Sequence, residues 1–131
     1  VRDYLREIVR TAGKTGYTET ILGRRRYLPD LTSSNRQRRE MAERMALNAP
    51  IQGSAADIIK VAMLDVEAAL AAQGLASRML LQVHDELVFE VREDAVAGLG
   101  ERVRALMSGA VTLAVELLVD IGSGSTWDEA H

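Results

Sequence analysis

The chain has 131 residues and no cysteine, which allows one core-bearing domain and excludes disulfides and thiolate metal sites. Hydrophobic residues make up 47% and charged residues 27%, which excludes a disordered chain, and no apolar run approaches the ~20 residues of a membrane helix. The net charge of −3 conceals a division: residues 1–44 hold 11 Lys/Arg against 6 Asp/Glu, and residues 45–131 hold 5 against 13. The basic end suits a polyanion, although a solvated helical face would show the same excess. The absence of Cys fits a reducing cytoplasm, and no signal-peptide pattern opens the sequence. Because Val1 already falls in a helical pattern, the sequence is expected to be a piece of a longer polypeptide.

In chain order, Tyr4, Leu5, Ile8 and Val9 recur at helical spacing, predicting a helix over 1–12 that Gly13 and Gly16 stop. Residues 17–28 (YTETILGRRRYL) alternate loosely around Gly23, the expected turn of a hairpin, and Pro29-Asp30 ends it. The polar loop Thr32, Ser33, Ser34 and Asn35 offers a cap for a helix over 36–47. Asn48-Ala49-Pro50 is expected to interrupt that helix, since proline lacks a donor and disfavours helix at the residue before it. A second helix is expected from Ser54, with Ile59, Met63, Val66 and Leu70 as its apolar stripe and Gly74 as its end. Two strands follow, Met79, Leu81 and Val83 on one face of the first, Leu87, Phe89 and Val91 on one face of the second. Val96, Leu99, Val103, Leu106 and Met107 predict another amphipathic helix. Residues 113–121 read as a final strand, and Trp127 as a packing anchor for the tail. The expected class is α+β.

The segment LLQVHDELVFEV, residues 80–91, carries the chemistry. His84, Asp85 and Glu86 interrupt its apolar runs and are expected to form a three-residue loop at a hairpin tip. There the carboxylates escape the several-kcal/mol cost of burying an unpaired charge, while the strands hold them still. Mg²⁺ takes oxygen ligands, keeps several waters and binds through one or two carboxylates plus substrate phosphates. The plainer reading makes Asp85 a turn-former and the other two rim residues. Two carboxylates need a third ligand, for which this chain offers no obvious candidate.

Other residues point to an anion. Gln52-Gly53-Ser54 after the proline break resembles a helix N-terminus that receives phosphate, or simply a joint and a cap. Arg44 and Asn48 lie four apart and share a helix face. Arg24, Arg25, Arg26, Arg36, Arg38 and Arg39 form a cluster without lysine, suited to bidentate phosphate contact. Tyr17 and Tyr27 bracket the first three and read equally as strand residues packed on a core.

The series GYTETILGRRRYLPDLTSSNRQRREMAERMALNAPIQGSAADIIKVAM, then QVHDELVFEV, then GSGSTWDEAH resembles the C-terminal end of bacterial family A DNA polymerases, over essentially the whole chain. Ser54 stands where Thr is common and Thr126 where Asn is common. The resemblance implies an antiparallel palm-type sheet carrying the HDE hairpin, backed by long helices, as a fragment of a larger polymerase fold. It implies a basic helix–hairpin–helix region at the DNA over 1–47, and a palm helix, catalytic hairpin, helix and final strand over 48–131. By resemblance Asp85 is one of two carboxylates holding a catalytic Mg²⁺ pair, Glu86 its weaker neighbour, and His84 contacts the primer terminus. Arg44, Asn48 and Gln52 match positions lining the minor groove and backbone of the primer–template, and Arg38 and Arg39 positions near the template strand. For Arg24, Arg25 and Arg26 only proximity to DNA is implied.

The implied reaction is nucleotidyl transfer from a dNTP to a primer 3′-hydroxyl, in DNA replication or repair. The family's other metal-binding Asp, its nucleotide-binding helix, and its thumb and exonuclease segments do not appear in these residues, so the piece alone is expected to be inactive. The remainder of the polymerase would be its partner, with self-association of the isolated piece as a corollary and no membrane involved. The alternative is a non-catalytic nucleic-acid-binding module that never loads a metal.

Overall fold

The structure is a computed structural model that describes residues 2–73 and 77–131. Gly74, the expected end of the second helix, and Val1 lie outside the described residues. Helices and small antiparallel sheets make the class α+β, as expected. The chain divides into two compact units, Val1–Asp57 and Ile58–His131.

In the first unit, helix α1 (Arg2–Thr15) runs through Gly13 and stops at Gly16, whose N–H donates to Ala12 O at 2.8 Å. An interior glycine costs only about 1 kcal/mol relative to alanine, too little to end this helix. Strands β1 (Tyr17–Glu19) and β2 (Arg25–Tyr27) pair antiparallel, Tyr17 opposite Tyr27. Gly23, at φ +82°, makes the turn, where a residue with a Cβ would be strained. After a short 3₁₀ turn (Pro29–Thr32), Asn35 Oδ1 accepts the N–H groups of Gln37 and Arg38 and caps helix α2. Ala12, Leu28, Leu31, Ala42 and Ala46 form this unit's core.

Helix α2 (Arg36–Gln73) overturns the expected break: it is one helix of 38 residues with Pro50 inside it. An interior proline costs about 3 kcal/mol. The helix carries that cost because burial fixes it on both sides of the proline, at Ala42, Ala46 and Ala49 before it and Ile59, Ala62, Val66 and Leu70 after it. Ala62, not the expected Met63, completes the buried stripe. Ser54 is consequently helix interior rather than a cap, and no helix N-terminus exists at Gln52-Gly53-Ser54.

In the second unit, β3 (Ser77–Val83) and β4 (Glu86–Val91) pair antiparallel, with an irregularity between Met79 and Leu81 that breaks the expected alternation and leaves Leu80 and Leu81 exposed. Helix α3 (Val96–Ser108) buries Leu99 and Val103 against Val66 and Leu70, and Phe89, Val91, Leu106 and Met107 pack on that cluster. The final strand is not formed. Residues 113–121 have no regular structure, and Val115 and Leu118 are 74% and 80% exposed. A strand needs a partner edge to satisfy its backbone, and the segment pairs with neither sheet. The short helix α4 (Trp127–Ala130) is capped by Thr126, while Glu129 accepts from Ser125, which holds its carboxyl below the usual range. Trp127 is half exposed and does not anchor the tail.

Candidate metal-binding hairpin tip and nucleic-acid interface

The register pairs Val83 with Glu86, so the tip is a turn of His84 and Asp85, not a three-residue loop. Glu86 is the first residue of β4. His84 sits in the left-handed region at φ 52°, and the Gln82 side-chain amide donates to its carbonyl at 2.8 Å, fastening the turn. Asp85 is exposed, Glu86 half-buried with Oε1 3.7 Å from His131 Nδ1. The donor chemistry suits a hard divalent cation: the Asp85 carboxylate lies on an exposed turn open to water ligands, with Glu86 beside it at the start of β4. Among the described residues no group of three or more His, Asp or Glu side chains is arranged to hold a metal, so a site here would need ligands from elsewhere.

The continuity of α2 changes how the polar residues relate. Arg44, Asn48 and Gln52 are all exposed and fall at i, i+4 and i+8 of one unbroken helix, a stripe about 12 Å long. Arg38 is exposed near the start of the same helix, whereas Arg39 donates to Ser33 O at 3.0 Å and ties down the preceding loop. Arg36 pairs with Glu40.

The hairpin arginines face a pocket of about 70 Å³ in the first unit, lined by Arg24, Arg25, Arg26, Gln52 and Gly53 among others. Arg25 lies 4.4 Å over the Tyr17 ring and 3.4 Å from Glu19. Tyr17 and Tyr27 meet edge to face at 5.6 Å, and Tyr27 is 67% exposed, so the pair decorates the hairpin instead of filling a core. Sequence reasoning missed Asp57, a buried carboxylate on α2 that meets Arg24 and Thr20. Arg24 and Thr20 lie 33 and 37 residues away from it, beyond any local pattern.

Most of the basic side chains lie on α1, the β1–β2 hairpin and the start of α2, and an exposed turn with Asp85 joins β3 to β4. The family model for DNA polymerase family A matches residues 1–129. The chain is 64% identical over 134 residues to DNA polymerase I of Mycobacterium tuberculosis and 54% over 128 residues to that of Pseudomonas aeruginosa. Those alignments cover 99% and 98% of this chain but 14% of either relative. The solved POL domain of Pol1 from M. smegmatis, in complex with DNA primer-template and dNTP, superposes with a TM-score of 0.96 at 63% identity. That match covers 98% of this chain and 23% of the other. The chain belongs to DNA polymerase family A, and it spans about one seventh of the curated relatives' length.

Proposed function

We propose that this chain is the C-terminal segment of a template-directed DNA polymerase and supplies one metal-binding carboxylate together with primer–template contacts. The observation that carries the reading is the near-complete superposition on a polymerase domain that holds primer-template and dNTP. In this reading residues 1–47 lie at the DNA, and residues 48–131 are palm.

Asp85 is the metal ligand and Glu86 its weaker neighbour. Exposure at a fastened turn leaves the Asp85 oxygens open to a cation and held without reorganisation. When bound, Mg²⁺ supplies Lewis-acid activation of the primer hydroxyl and neutralisation of the leaving pyrophosphate. His84 contacts the primer terminus. The Arg44, Asn48 and Gln52 stripe follows the duplex: its two amides suit minor-groove acceptors, which are alike for every Watson–Crick pair. Arg38 and Arg39 lie near the template backbone, Arg38 free to reach it and Arg39 stiffened by its bond to Ser33. The substrates are a primed template and a dNTP, and the setting is the bacterial cytoplasm. No helix among the described residues is long and apolar enough to cross a membrane.

The exposed apolar residues of 113–121 support the remainder of the polymerase as partner. The isolated piece is expected to self-associate through the same segment; a light-scattering mass of one chain at high concentration would count against this. It is also expected not to extend primers alone, since one pair of carboxylates does not make a two-metal site.

The deciding experiment is Asp85→Ala in the parent polymerase. Primer extension should fall by about 10³-fold or more, with primer–template affinity nearly unchanged. Extension at the wild-type rate would leave the non-catalytic binding module as the better reading.

A further inference from the structure

Asp57 is a buried carboxylate that the duplex-contact reading leaves without a task. Thr20 Oγ1 donates to its Oδ2, and Arg24 Nε lies 2.8 Å from its Oδ1. Arg24 Nη2 also donates to Gly53 O at 3.1 Å, and the Ile21 N–H to Ser54 Oγ at 2.9 Å. A Cβ on Gly53 would come within 2.7 Å of Thr20 Cγ2, so glycine is what permits this approach. The turn does not need these ties to close. Its own bonds do that: Thr20 N–H to Arg24 O and Gly23 N–H to Thr20 O at 2.9 Å each, and the Arg24 N–H to Thr20 Oγ1 at 3.1 Å. The ties join the hairpin to the helix beside the pocket lined by Arg25, Arg26 and Gln52.

We propose that Asp57 is a positioning residue for DNA binding: with Thr20 and Arg24 it holds the hairpin arginines beside Gln52 as one surface for a nucleic-acid backbone phosphate. The inference rests on the polymerase reading. Its consequence runs against simple charge. Removing a carboxylate near a polyanion site should tighten binding and steepen its salt dependence if only the field matters. If Asp57 works by placing cations, its removal loses a phosphate contact and does the reverse.

The test is primer–template binding by the full-length polymerase at several salt concentrations, with steady-state kinetics at saturating DNA. Asp57→Ala should weaken binding about 10-fold and reduce the slope of log affinity against log salt by about one. Its kcat should stay within about twofold of wild type. Thr20→Val, which changes no charge, should shift both quantities the same way by a smaller factor, and Thr20→Ser should restore them. Tighter binding with a steeper slope, or no change in either variant, would overturn the proposal. So would a parallel fall in kcat, affinity and melting temperature in both variants, which marks a merely structural contact. Should the wild-type enzyme itself neither bind nor extend primed DNA, the polymerase reading fails and takes this inference with it.

Discussion

The β1–β2 hairpin has strands of three residues each, the β3–β4 hairpin strands of seven and six. The shorter one offers little apolar surface, Tyr27 standing mostly in solvent, and is fastened to α2 by polar groups: Asp57, Ser54 and the Gly53 carbonyl. The longer one is fastened by Phe89 and Val91 on the cluster of Val66, Leu70, Leu99 and Val103. The difference follows from length. Burial yields about 25 cal/mol per Å² of apolar surface, so three-residue strands cannot be pinned that way, whereas directional bonds can pin them at a few atoms. It also has a functional side. Apolar fastening consumes no charges and leaves Asp85 exposed at the β3–β4 tip, while the polar clamp uses Arg24 and leaves Arg25 and Arg26 at the pocket.

The largest stability effect should come from the apolar fastening. Leu99→Ala in the parent enzyme removes buried methyl groups beneath β4 and should lower the opening free energy of the β3–β4 amides by about 2–4 kcal/mol. Hydrogen exchange reads this directly, and the β1–β2 amides, fastened by a different chemistry, should keep their protection. Equal loss at both hairpins would break the comparison.

How much of this was legible in the sequence follows the same division. Signals that act locally were readable: Gly16 as a stop, Gly23 as a turn, Asn35 as a cap, the apolar stripe of α3, and a charged turn at His84 and Asp85, though not the place of Glu86 in β4. Effects that depend on distant partners were not. Pro50 reads as a break because its local cost is known, but the burial that offsets it comes from residues far along the chain. Ser54 looked like a cap only because of that supposed break. Residues 113–121 have the alternation of a strand, yet alternation says nothing about whether an edge is present to receive it. Asp57 falls inside the stretch NAPIQGSAAD that carries the resemblance, yet nothing local says what it meets, and only the folded hairpin shows what it holds.

A smaller effect is expected at the tip. His84 occupies the left-handed region, where a residue with a Cβ pays roughly 1–2 kcal/mol. His84→Gly relieves that strain but enlarges the unfolded ensemble, so the net gain in hairpin stability should be about 0.5–1 kcal/mol. Slower exchange at the tip amides together with weaker primer extension would mean that strain is retained because the imidazole is needed there. Unchanged extension would reduce His84 to a turn residue.

The smallest effect sharpens the comparison most. If the β1–β2 hairpin were held by its aromatic pair, removing Tyr27 would release it, since Tyr17 and Tyr27 are its only facing rings and the pair also flanks the Arg25 guanidinium. An edge-to-face pair contributes about 0.5–1.5 kcal/mol when buried, and at this exposure the lower end applies. Tyr27→Ala should therefore cost about 0.5 kcal/mol in β1–β2 amide protection, less than Thr20→Val costs by removing a hydroxyl that donates to Asp57 and accepts the Arg24 N–H. The reverse order would assign the hairpin's placement to the rings, and Asp57 would then be a satisfied buried carboxylate with no claim on the arginines.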